Sequence, residues 1–269
     1  MSVTLDRPAQ GHRRRARGGA ALSALWRRDV AHTLRNQSVM ISALFIPSVF
    51  FLAFYASFSQ SAEAFMDSYA DYLLPAGVMQ AIIFAAGGST LAVSQDAEDG
   101  FHQRLLSLPS PTWLIVAGRM LADITRTLWS GTLVLVVAML CGARFHGGPL
   151  WTLAFFLGAI LISLALCAGC DGLCLLAKNP VSASFTFQGL TIAILMLSTA
   201  FVPASALPSW VRDVIAHLPI SVLLDTLRGL MAGHLGAENH PWEALAWLIV
   251  LLVCGFWGFS FALKRGHRV

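Results

Sequence analysis

The chain is short of charge. Asp, Glu, Lys and Arg make up only 12% of its 269 residues, where soluble proteins carry about 25%. With 57% hydrophobic residues and a mean hydropathy of +0.69, this excludes an ordinary water-soluble domain. Lysine is nearly absent, occurring only at Lys178 and Lys264. Each follows a non-glycine, Ala177 and Leu263, so the G-x-x-x-x-G-K-[ST] loop that cradles nucleotide phosphates does not occur. The N-terminal basic run has no apolar core directly behind it and no small-x-small site, so a cleavable signal peptide is not expected. The five cysteines, Cys141, Cys167, Cys170, Cys174 and Cys254, lie in or beside apolar runs. That placement excludes an extracellular disulfide framework. No set of His, Asp or Ser groups converges at one depth of the apolar runs, and Ser89 lacks the G-x-S-G of an intramembrane serine protease. Both points argue against a membrane-embedded enzyme.

What remains is an all-α integral membrane pattern. The length accommodates about six spans of about 20 residues with short connections. Residues 1–19 are polar and Arg-rich and read as a disordered basic tail; residues 20–269 read as one transmembrane domain. Residues 20–35 show helical periodicity. Leu22, Leu25, Trp26, Val30 and Leu34 form one side, and Arg27, Arg28, His32 and Arg35 lie mostly on the other. Such a helix suits the membrane surface, with Trp26, Arg27 and Arg28 at the headgroups. The spans follow at roughly 38–58 (with a kink expected at Pro47), 72–94, 113–141, 151–176, 184–202 and 242–263. The second is rich in small residues, from Ala85 to Ser89, which permit close helix packing.

The cations set an orientation. With both termini on the cytoplasmic side, that side receives most of the arginines and both lysines, and the other only Arg144, Arg212 and Arg228. This asymmetry predicts a multi-pass protein of the cytoplasmic membrane with cytoplasmic termini. The basic residues thus read as topology signals, and nucleic acid is not an expected partner.

Four polar features stand out. Glu98–Pro111, EDGFHQRLLSLPSP, is too charged for a bilayer and too short for a domain. Its apolar Phe101, Leu105, Leu106 and Leu108 alternate with charge, a pattern suited to docking a soluble partner. Val202–Gly233 holds two short helices around Pro219, with Trp210 as a headgroup anchor and an Asp225–Arg228 pair at i, i+3. It reads as a re-entrant or outer-surface hairpin. Asp171 lies within a span, where a carboxylate costs about 2.5–3.5 kcal/mol; local capping or pairing is the simpler account, a polar cavity the alternative. Asp123 reads as paired with Arg119 and Arg126 on its own helix. Cys167, Cys170 and Cys174 fall near one helical stripe. Packing explains them better than a metal, since a second Cys/His cluster is missing, and no metal site is expected.

This order of elements resembles the type-2 ABC exporter permeases (the ABC-2 family), and in particular the daunorubicin-resistance type of actinobacteria. The resemblance rests on Glu98, Gly100, Leu105, Leu106, Pro109 and Gly118-Arg119. Beyond these it rests on A-R-F-H-G-G, K-N-P, and the outer set Phe201, Pro203, Leu207, Pro208, Trp210, Pro219, Arg228 and Gly229. It implies a transport subunit with no cofactor of its own, working with a dimer of a separate ABC ATPase that binds ATP and Mg, beside a second permease, identical or paralogous. It further implies that Glu98, Asp99, Gly100, Phe101, Arg104, Leu105, Leu106 and Pro109 form a coupling helix in a groove of the ATPase. A hydrophobic cargo, drug, lipid or glycolipid, would pass along the seam between permeases or enter from membrane lipid. Phe45, Met79, Phe84, Phe187 and Met196 are candidates for lining its path. A secondary transporter, a membrane-embedded enzyme and a plain membrane anchor are the alternatives; a secondary transporter would show inverted repeats or several intramembrane charges.

Overall fold

The computed structural model describes residues 18–62, 68–100, 112–201, 208–236 and 239–265. Among them there are helices and no strands. In chain order these are α1 (Gly18–Arg35), α2 (Gln37–Ala62), α3 (Tyr69–Glu98), α4 (Thr112–Leu140), α5 (Gly148–Leu176), α6 (Pro180–Met196), α7 (Ser209–Ala216), α8 (Pro219–Ala232) and α9 (Pro241–Arg265). Among the described residues, five stretches are long and apolar enough to cross a membrane: Met40–Ala62, Tyr69–Glu98, Trp113–Leu140, Gly148–Leu176 and Pro241–Phe261. Pro180–Met196 is a shorter apolar helix. It begins four residues before the expected span and ends six before it, because Pro180 starts the helix where its missing N–H costs nothing.

α3 is the centre of the bundle, packed by α2, α4, α5 and α6. Of its apolar window 78% is buried, against 17% for α2 and for α9. Ser68 caps its start, its hydroxyl accepting from the Asp71 N–H at 3.2 Å. At about 1.5 Å per residue its 30 residues rise about 45 Å, more than the hydrocarbon core of about 30 Å. The helix therefore continues through Gln95–Glu98, which the sequence assigned to a polar break. The structure corrects one expectation here: Glu98 closes α3 instead of opening a new helix. Asp96 supplies the reason, because its buried ion pairs hold the last turn in helical register. α2 likewise runs unbroken through Pro47.

Small residues set the closest approaches. On Gly87 of α3, a Cβ would meet the Gln188 side chain of α6 at 2.6 Å. α5 and α9 pack side by side, with Gly172 against the backbone of Gly258 and Phe259, and Gly255 against Gly169 and Ala165. The A-R-F-H-G-G turn between α4 and α5 also has a packing reason. Gly147 presses against Gly233, which ends α8 at φ +84. The His146 N–H donates to the Met231 carbonyl at 3.0 Å, and the Asp71 carboxylate accepts from the Arg144 N–H at 2.7 Å. The two halves of the expected hairpin differ. α8 buries Val222, Leu223, Leu224, Leu227 and Met231 in the core, whereas α7 exposes Trp210 and Val214.

Candidate functional site

Seven charged residues of α1, α3, α4 and α5 gather in one cluster. Arg28 of α1 grips Asp96 of α3 with both terminal nitrogens and reaches Asp29 at 3.0 Å. Arg119 of α4 stands between Asp96 at 3.4 Å and Asp171 of α5 at 3.6 Å. Its Nη2 also donates to the Ser89 carbonyl at 3.2 Å. Asp171 accepts from Ser89 at 3.2 Å and Thr90 at 2.9 Å. Arg126 pairs with Asp123 at 2.6 Å and donates through Nε to Thr33 of α1 at 2.8 Å. Three guanidiniums thus meet four carboxylates, and all but Arg28 are less than a tenth exposed. Ionised groups are tolerated at such depth only when each has a partner.

Three expectations change in consequence. Asp171 pairs across helices, not locally. Arg119 turns to Asp96 and Asp171, leaving Asp123 to Arg126. Arg28 points into the bundle while Arg27 and Arg35 stay at the surface of α1. Burial of the Arg28 guanidinium opposes its charge, but the Asp96 hydrogen bond and charge outweigh this and raise its pKa above the ordinary arginine value. Trp26, expected at the headgroups, donates its indole N–H to Thr125 of α4 at 3.0 Å. The network joins α1 mechanically to the bundle: a shift of α1 must strain Arg28–Asp96, and through Asp96 the Arg119 on α4. The role of Asp96 went unseen in the sequence. The signal was its i+7 spacing from Ser89, which puts both on one face of a helix continued past residue 94.

The far end of the bundle has its own hub. Arg228 of α8 pairs with Asp225 at 2.6 Å, as expected, and does more. Its Nη2 donates to the carbonyls of Thr199 at 2.8 Å and Ala200 at 3.1 Å, just past the C-terminus of α6. Its Nε donates to the Tyr72 carbonyl at 3.2 Å, and the guanidinium lies 3.7 Å from the Tyr72 ring centroid. A cation suits this place, where free carbonyls concentrate negative charge. Phe201 stacks on Phe54 at 4.0 Å.

The five expected path residues do not share one seam. Met79 is buried in the core, so it lines no path in this arrangement. Phe45 and Met196 are exposed on α2 and α6. Phe187 lines a small cavity between α3, α5 and α6. Phe84 lines a shallow lateral cleft between α1, α2, α3 and α4, together with Leu34, Met40, Trp129 and Arg126. The Nη2 of Arg126 has no hydrogen-bond partner among the described residues. Glu98 and Asp99 are exposed at the end of α3, and Gly100 has φ +67. Phe101, Arg104, Leu105, Leu106 and Pro109 lie outside the described residues, as do Pro203 and Leu207. Pro208 and Pro219 stand at the starts of α7 and α8.

Residues 20–232 match the ABC-2 type transporter family. The chain belongs to that family. The match runs from α1 to the end of α8 and so takes in both the charged network and the Arg228 hub. Among curated proteins, the chain is similar to the doxorubicin resistance ABC transporter permease protein DrrB of Mycobacterium tuberculosis. The two are 27% identical over 253 residues, 89% of this chain and 87% of that one. The daunorubicin resistance ABC transporter permease protein DrrB1 of Streptomyces coeruleorubidus is 25% identical over 218 residues, covering 81% of this chain and 76% of its own. A probable doxorubicin resistance permease protein, DrrC of M. tuberculosis, is 24% identical over 200 residues, 74% and 72% of the two chains. As an ABC-2 protein with several apolar helices, the chain is a multi-pass membrane protein.

Proposed function

We infer that this chain is the transmembrane subunit of an ATP-driven exporter that carries amphiphilic, aromatic drugs out of the cell. The observation that carries the reading is the family match over α1 to α8, on a chain with several apolar helices and no P-loop. The names of its relatives support a drug as cargo. The lateral cleft supports entry of that cargo from the bilayer: its walls are apolar and aromatic. α6 acts as the sixth span, its 17 residues rising about 26 Å. A dimer of a separate ATPase supplies ATP and Mg chemistry, and a second permease, identical or paralogous, completes the path along the exposed faces of α2 and α6.

Coupling takes place at the end of α3. Glu98 sits at a helix C-terminus, where the macrodipole disfavours an anion, and it is exposed. Its carboxylate therefore does nothing for its own helix and suits a cationic partner surface. Gly100 holds a left-handed turn that a side chain would strain. The network then passes motion of α3 to α1 through Asp96–Arg28 and to α4 through Asp96–Arg119.

The test is ATP-dependent uptake of daunorubicin into inverted vesicles holding this chain with its ATPase and partner permease. Uptake is expected to require ATP and this chain. The Gly100→Val variant should insert normally yet lose most of the uptake. Uptake driven by an ion gradient without ATP overturns the exporter reading, and normal transport by Gly100→Val overturns the coupling assignment. Orientation is checked separately. With α7 on the outer side, a cysteine at the exposed Trp210 position in a cysteine-free background should react with an impermeant maleimide in intact cells. Reaction only after permeabilisation reverses the topology.

A further inference from the structure

Three side chains at the Arg228 end of the bundle stand apart from everything described so far. His217 ends α7, His240 immediately precedes α9, and Glu243 lies in the first turn of α9. The Nδ1 of His217 is 3.0 Å from Glu243 Oε2, and the Nδ1 of His240 is 3.3 Å from Glu243 Oε1. One donor atom from each residue lies within 4.8 Å of the other two. The imidazole rings meet edge to face, with centroids 5.3 Å apart at 70°. His240 holds φ +46, the left-handed region, where it is the one non-glycine among the described residues. Its ring faces that of His217 at the end of α7.

We propose that His217, His240 and Glu243 form a Zn²⁺ site that clamps α7 to α9. Zinc bonds to imidazole nitrogen at about 2.0–2.1 Å and to carboxylate oxygen at about 2.0–2.2 Å in a tetrahedron. The edges of such a tetrahedron are about 3.3–3.5 Å long, so side chains whose donor atoms already lie within 4.8 Å of one another need only small side-chain adjustments to close on the ion. Two imidazoles and one carboxylate are a borderline donor set that favours zinc over magnesium or calcium, which prefer all-oxygen shells. Three protein ligands leave the fourth position to water. Each ring directs its Nδ1 at a separate oxygen of Glu243, so the carboxylate already gathers both imidazoles at one point.

The position gives the metal a mechanical consequence. α7 exposes Trp210 and Val214, and its main packing partner is α8. A zinc ion would join its C-terminus to the start of the last apolar helix, fixing the hairpin against the bundle. His217 and Glu243 are 26 positions apart, so no motif spacing announces the site.

The experiment uses the full chain, purified in detergent and stripped with EDTA. Calorimetric titration with ZnCl₂ should show one more equivalent bound by the native chain than by a His217→Ala/His240→Ala variant. Cysteines and all other histidines are the same in both, so they cancel. Glu243→Gln, which keeps the shape of the cluster, should weaken that equivalent about tenfold or more. ZnCl₂ should raise the melting temperature of the native chain and not that of His217→Ala, and MgCl₂ should raise neither. Co²⁺ should give the absorption of a tetrahedral nitrogen and oxygen site in the native chain alone. Equal zinc stoichiometry and affinity in the native and double-variant chains overturn the site. So does an equal thermal shift in His217→Ala. All three side chains are partly or largely exposed, so their replacement leaves the bundle intact, which gel filtration verifies.

Discussion

Replacing Arg119 by methionine should destabilise the bundle by about 3–5 kcal/mol. Methionine fills much of the same volume, so the loss reports charge and not a cavity. Asp96 keeps Arg28 as a partner, but Asp171 loses the cation closest to it and stays buried with only two hydroxyl donors. An unpaired carboxylate at 2% exposure is the costly species. Adding Asp171→Asn removes that charge while keeping an acceptor for Ser89 and Thr90, so the double variant should recover a large part of the loss. Thermal unfolding in detergent and the steady-state level in membranes measure both. If Arg119→Met melts with the native chain, or if the two changes simply add, the pairing across α4 and α5 is not what stabilises this region.

Gly172→Leu should separate α5 from α9 and lower stability by about 3 kcal/mol or more. A Cβ at Gly172 would stand 2.7 Å from the Phe259 nitrogen and 2.9 Å from the Gly258 carbonyl carbon. Backbone cannot swing aside as a side chain does, so the helices must part and lose their shared contact. Even Gly172→Ala should be felt. Gly189→Leu on α6 serves as the control, because nothing lies within 4 Å of its added Cβ, and its effect should stay within about 0.5 kcal/mol. Equal melting temperatures for the Gly172 and Gly189 variants would refute close packing of α5 on α9.

The helices were largely legible because apolar runs of membrane length report themselves by composition. The starts at residues 113 and 242 lie within one residue of the structure. The failures have specific causes. Hydropathy alone ended the second span at 94, because Gln95, Asp96 and Glu98 are polar. The helix continues because Asp96 has Arg28 and Arg119 to bind, a fact that lies in other helices. Asp225–Arg228 was readable as an i, i+3 pair, while the carbonyls of Thr199 and Ala200 that Arg228 also binds belong to a distant segment. Met79 looked like a path residue because methionine suits an adaptable surface; burial in the core decided otherwise.

By itself the sequence determined the membrane class, the apolar runs and the lack of a P-loop, because these depend on composition and on local order. It also carried the motifs that mark an ABC-2 protein. Only the tertiary structure decided which charges meet. Arg28 and Asp96 are 68 positions apart, and Ser89 and Asp171 are 82 apart. Helical periodicity says which face a residue occupies on its own helix. It does not say which faces of separate helices come together or at what height. That choice follows from close packing at residues such as Gly87 and Gly172 and from the cost of leaving a buried charge unpaired, and both act only once the helices have assembled.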